Sequence, residues 1–238
     1  VKLLSMFSGC GALDLALERA GFTPTAFCEV NPYASKVLAR HWPNVPNLGD
    51  VTQADFTTVQ AEAICAGFPC QDLSNAGKRA GLAGERSGLF WQVIRAVRMV
   101  RPKIVLLENV AALHNRGLGE VFGALAEISY DAVADCIPAS YVGAPHDRDR
   151  TVIVAYPIGG QWRPEPYRRA LGRMGRVQQS IPWQRDWQSA LREFRGMDDG
   201  STYRVYRIDT IRNAVVVPLF EQVGRAIMAG FQEERTAA

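Results

Sequence analysis

Four side-chain types at particular places in this sequence can do chemistry together. Cys70 stands behind a proline in AGFPCQDLSNAGKR (66–79). An attacking thiol must be partly exposed and helped toward thiolate by positive surroundings, which Lys78 and Arg79 can supply. Glu108 closes the apolar run in KIVLLENV (103–110), where desolvation raises a carboxyl's pKa and keeps a proton available. Arg148 and Arg150 in HDRDR (146–150) point the same way if the chain there is extended. Such a set can attack an electron-poor ring, protonate it and hold its oxygen. Each member also has an ordinary explanation: a small buried residue for the cysteine, a surface ladder for the Asp/Arg alternation.

A second group suits a cofactor. MFSGCGALDLA carries a Gly9-x-Gly11 turn, which lets backbone approach a ligand at a helix N-terminus. The third glycine of the dinucleotide fingerprint is missing, because Asp14 stands in its place. Glu29 follows about twenty residues later, where an acid can bind ribose hydroxyls. Asp50, in LGDV, can accept from an adenine amino group. In this order the residues favour an adenosine-bearing ligand.

These positions need a scaffold. Apolar runs at 1–7, 24–30, 61–70, 103–110, 131–137 and 150–157 read as strands, and helical patterns lie between most of them. The helix opening at Asn31-Pro32 has a good cap, and the one over SGLFWQVIRAVRMVRP stops at Pro102. The alternation implies an α/β, Rossmann-like fold with a mostly parallel sheet and helices on both faces. Ligands in such sheets sit beyond the carboxyl ends of the strands, and Gly9, Glu29, Cys70 and Glu108 each follow a predicted strand.

At 238 residues with 47% hydrophobic content the chain suits one medium domain, with room for a small insert or appendage. Five cysteines without a CxxC pair and three scattered histidines argue against a disulfide framework or a metal site. With no signal-like or bilayer-length apolar run, a soluble, cytoplasmic protein is expected. The net charge of +3 is unevenly spread. Residues 157–207 hold 10 Lys/Arg against 5 Asp/Glu, together with Trp162, Trp183 and Trp187, a pattern that suits a nucleic-acid backbone and exposed bases. An ordinary solvated face with a few packed tryptophans fits the same composition.

The ordered motifs resemble those of the DNA cytosine-5 methyltransferases. FSGCG is similar to that family's first motif, GFPCQDLS to its nucleophile loop, ENV to its acid motif and HDRDR to its Gln-x-Arg-x-Arg motif; RNAVVVP (212–218) is similar to its closing motif. The resemblance implies S-adenosyl-L-methionine as cofactor, with Phe7, Ser8, Gly9, Gly11, Leu13, Glu29, Val30, Asp50, Val51, Pro69, Asn213 and Ala214 around it. It implies double-stranded DNA as partner, with a cytosine flipped from the duplex. Cys70 then adds to ring C6, Glu108 donates to N3, and Arg150, beside Arg148, holds the exocyclic oxygen. Gln71, Ser74 and Arg79 are implied in substrate binding. The organisation implied is a catalytic domain over 1–156, a short target-recognition segment over 157–207, with a helix at 182–195 and a loop at 167–176, and a return over 208–238. A monomer is the default expectation, and the sequence does not separate a restriction–modification role from a solitary or phage one. The alternatives are the same chemistry on tRNA, or a DNA-binding relative without catalysis. Two departures stand out: His146 replaces the family's glutamine, and Arg212 replaces a glycine whose turn can need positive φ.

Overall fold

A computed structural model describes residues 1–69, 87–144, 148–174 and 214–231. Six strands, β1 (Lys2–Met6), β2 (Thr23–Cys28), β3 (Ala63–Gly67), β4 (Ile104–Val110), β5 (Tyr130–Ile137) and β6 (Arg150–Pro157), form one sheet in the order β2-β1-β3-β4-β6-β5. The helices are α1 (Ala12–Arg19), α2 (Pro32–His41), α3 (Phe90–Val100), α4 (Leu113–Arg116), α5 (Leu118–Ala126), α6 (Pro164–Met174) and α7 (Val217–Ala229).

The first four strands run parallel, as continuous apolar runs covered on both faces require. β6 instead runs antiparallel to both β4 and β5. The reason is the connection: only twelve residues, 138–149, join β5 to β6, and the described ones form a short 3-10 turn, whereas a parallel return needs a crossover of a dozen or more residues, usually helical. Along β1, Leu4 and Met6 pack toward α3 and α5, whereas Leu3 joins the cluster of α1, α6 and α7. The alternation puts Ser5 on that second face, beside Cys65 of β3.

Local signals explain several boundaries. Asn31 Oδ1 accepts from the Tyr33 and Ala34 amides at 2.9 and 3.1 Å, which caps α2 with Pro32 at its start. α3 ends at Arg101, which takes a left-handed φ of 53° before Pro102. Between β4 and β5 the chain forms a short α4 and then α5, separated at Gly117. Other expectations are corrected. The loop read at 167–176 is helical as far as Met174, because Tyr167 buries its ring against α7 and anchors α6. Trp162 is likewise core, 1% exposed, and its indole donates to the Ile227 carbonyl at 2.8 Å. It is therefore not available to nucleic acid. Trp183, Trp187 and the helix read at 182–195 lie outside the described residues.

α7 crosses α1 at close range. A Cβ on Gly224 would lie 2.6 Å from Ala20 Cβ and 3.1 Å from Leu17 Cδ2. Gly224→Leu is therefore expected to destabilise the fold by about 1–3 kcal/mol through overpacking, read as a lowered denaturation midpoint at unchanged slope.

Candidate active site

The strand order reverses between β2-β1 and β3-β4, and a cavity of about 370 Å³ opens there at the carboxyl ends of the strands. Its near wall is the loop from Phe7 to Gly11. Phe7, Gly9 and Gly11 take φ of 56°, 55° and 80°, a run of left-handed backbone that turns β1 sharply into α1. Gly11 has a further constraint: a Cβ there would lie 2.5 Å from the Trp42 ring. Ser8 steadies the turn, its hydroxyl donating to the Ser5 carbonyl at 3.1 Å.

Glu29 holds this loop from the next strand. Its carboxylate accepts from the Gly9 amide and from the Asn31 amide, each at 2.7 Å. Asn47 fixes the Glu29 backbone through hydrogen bonds of 3.0 and 2.9 Å. An ionised carboxylate has about four acceptor positions, so two remain for hydroxyls in the cavity that Glu29 also lines. Leu13 and Ala214 line the same space. Val30, just past Glu29, is 66% exposed. Asp50 stands apart on the surface, and its Oδ1 accepts from the Thr52 amide and hydroxyl at 2.8 and 2.9 Å. Those bonds hold its pKa below the usual carboxylate range. Its neighbour Val51 is core.

At the far end Glu108 faces the cavity from β4. Gly67 on β3 leaves it room, since a Cβ there would lie 3.2 Å from Glu108 Oε2. Glu108 Oε1 pairs with Arg150 Nε at 2.8 Å, both side chains being largely buried. Desolvation raises the Glu108 pKa, outweighing the attraction of Arg150 and Arg148. The carboxyl thus keeps a proton more readily than a surface glutamate. Arg148 corrects an expectation. β6 begins only at Arg150, and Arg148 has φ 29°, so strand alternation does not orient it. Its guanidinium donates to the Ala214 carbonyl at 2.9 Å, tying the approach to α7 to the acid end of the cavity.

One positioning residue went unassigned in the sequence. Asn109, 3% exposed, donates to the Phe68 carbonyl at 3.1 Å and so fixes the peptide immediately before Pro69 and Cys70. The signal was present in the ENV triplet itself. Cys70, Gln71, Ser74, Arg79, His146, Arg212 and Asn213 lie outside the described residues. The four described thiols make poor nucleophiles: burial pushes Cys10, Cys28, Cys65 and Cys136 all upward, Cys28 to about 12.

Asp14 is the other surprise. It is fully buried on the sheet side of α1, and desolvation pushes its pKa up from 3.8 to about 7. Below the unfolded-state value both states are protonated. As pH rises toward 7 the unfolded carboxyl ionises while the folded one keeps its proton, so stability is lost. Asp14→Asn abolishes that loss. The stability advantage of the variant over the parent is therefore expected to widen between pH 4 and about 7 and then level off, measured by denaturant melts across that range.

Among the described residues no cluster of His, Cys, Asp and Glu can hold a metal, and no helix is long and apolar enough to cross a membrane.

A switch-point cavity with a glycine loop clamped by an acid that directly follows β2 defines a Rossmann-like α/β fold. Solved structures agree at the level of fold. Spodoptera frugiperda DNMT2 matches with a TM-score of 0.53 at 22% identity over 68% of this chain and 51% of that one. The Entamoeba histolytica methyltransferase EhMeth matches at 0.54 and 18% identity over 66% and 52%. Sequence comparison is more specific. The profile of the C-5 cytosine-specific DNA methylases matches residues 1–180, and the chain belongs to that family. The type II methyltransferase M2.BsuMI of Bacillus subtilis is 34% identical over 65% of this chain and 42% of its own length. The type II methyltransferase M.HhaI of Haemophilus parahaemolyticus is also 34% identical, over 66% and 49%. The chain thus spans about half, or less, of these two relatives.

Proposed function

We propose that the protein methylates C5 of cytosine in double-stranded DNA, as a modification enzyme of the type II kind. The observation that carries this reading is that one cavity is lined both by Glu29, which clamps the glycine loop, and by Glu108, which is paired with Arg150 and holds its proton more readily than a surface glutamate. The residues fit S-adenosyl-L-methionine: Glu29 has acceptor positions left for ribose hydroxyls, Gly9 leaves open space beside the loop, and Leu13 and Ala214 line the cavity. When bound, that cofactor supplies an electrophilic methyl group.

The chain's own residues do the rest. C5 of cytosine is a poor nucleophile until something adds at C6, and Cys70 forms that bond through its thiolate. Glu108 delivers its proton to N3 as electron density arrives there, which the raised pKa favours. Arg150, held by the Glu108 contact, presents its guanidinium to the exocyclic oxygen. Loss of the C5 proton to solvent and of the Cys70 thiolate, with the N3 proton returning to Glu108, restores the neutral ring. Asn109 and Gly67 position the strand ends on which this depends. Gln71, Ser74 and Arg79 contact the DNA, and residues 157–207 read its sequence.

Base-resolution mapping of 5-methylcytosine, in mixed-sequence duplex DNA incubated with protein and cofactor, tests the proposal. Methylation confined to one short motif is the expected result. Methylation of tRNA alone, or of neither nucleic acid, overturns it.

A further inference from the structure

Glu29 offers a ligand hydroxyl only part of what such a group can use. A hydroxyl donates one hydrogen bond and accepts others, whereas an ionised carboxylate only accepts. Glu29 Oε2 takes the Gly9 amide and Oε1 the Asn31 amide, each at 2.7 Å, so each oxygen keeps an acceptor position. A donor beside them would complete the recognition of a hydroxyl.

Asn31 lines the same cavity, and its side chain is divided between two ends. Oδ1 caps α2, accepting from the Tyr33 and Ala34 amides at 2.9 and 3.1 Å. That fixes which way round the amide lies, because Nδ2 can donate but not accept. Nδ2 keeps two N–H donors, and they meet no partner among the described residues. The turn that carries the pair is held from outside. Asn47 bonds both backbone groups of Glu29, and the Ser35 hydroxyl donates to the Glu29 carbonyl at 3.2 Å. Capping by itself does not call for an amide, since Asn, Asp and Ser cap helices about equally well. Only asparagine caps with one atom and donates from another.

We propose that Asn31 Nδ2 donates to a ribose hydroxyl of the ligand, the one whose own proton goes to Glu29 Oε1. The inference rests on the reading of the cavity as an S-adenosyl-L-methionine site and names a specificity residue within it. Oε1 is singled out because the Asn31 amide is bonded to it, which sets the asparagine beside that oxygen. The two hydroxyls of a vicinal diol then differ. One is held by Glu29 alone, the other by Glu29 and Asn31 together. Loss of the second leaves both a donor and an acceptor unmatched, so the cavity selects a ligand with its ribose complete.

Titration calorimetry with S-adenosylhomocysteine and its 2′-deoxy and 3′-deoxy analogues, on the parent, Asn31→Ser and Asn31→Asp, tests this. Both variants retain a capping oxygen, so their denaturation midpoints are expected to stay close to the parent's. Both are expected to weaken S-adenosylhomocysteine about three- to tenfold, the effect of losing one hydrogen bond. Toward one of the two deoxy analogues that weakening should vanish, because the hydroxyl that Nδ2 serves is gone. The charge added in Asn31→Asp acts on all three ligands alike, so the difference between ligands survives it. Equal weakening of all three ligands, or of none, marks a capping role and overturns the inference while leaving the cofactor site intact. A parent protein that binds none of the three removes the cofactor reading, and the inference with it.

Discussion

Glu108→Gln is expected to lower methyl transfer by about 100- to 10,000-fold, the range for removing a positioned general acid. Glutamine keeps the shape of the side chain and can still accept from Arg150, but it cannot give a proton to N3. Desolvation at the end of β4 is what makes the native carboxyl an effective donor, and it prevails over two nearby arginines that favour ionisation. The loss should fall on kcat, with cofactor affinity little changed, because proton donation is made in the transition state and not in the ground state. Single-turnover rates on a methylatable duplex, beside cofactor binding by calorimetry, separate the two. A variant within a few-fold of the parent rate would show that the ring is protonated by something else.

Cys70→Ser is expected to be more severe, at least about 1,000-fold, since it removes the atom that forms the covalent bond. A serine hydroxyl in the same place is barely ionised at neutral pH. None of the four described thiols is primed to substitute, because burial raises every one of them. DNA carrying 5-fluorocytosine gives a second readout. The ring loses a proton from C5 in the normal cycle, and fluorine cannot leave as a cation, so the parent protein should remain attached after methyl transfer. The serine variant should give no denaturant-resistant complex. A trapped serine variant would place the nucleophile elsewhere.

Much of the scaffold was readable because its signals are local. Strands buried on both faces write themselves as apolar runs, and the Asn31-Pro32 pair caps α2 by geometry confined to one turn. Glu108 announced itself the same way, as a carboxylate at the end of such a run. Trp162 did not. An aromatic among arginines suits DNA and suits a core equally well, and only the packing of α6 against α7 decides for the core. Asp14 carries no local signal of its burial, for a polar residue early in a helix normally faces solvent.

The sequence by itself determined the element order, the α/β class and the residues at the strand ends, since each depends on neighbours a few positions away. Tertiary structure alone decided what those residues touch. The Glu29 clamp on Gly9 spans 20 positions, the Asn109 bond to Phe68 spans 41, and the Arg148 bond to Ala214 spans 66. It also decided the reversal of β6 and the burial of Asp14 over Ser5. Hydrogen bonds and desolvation act through space, over a few ångströms, and only the assembled sheet brings such distant parts of the chain that near.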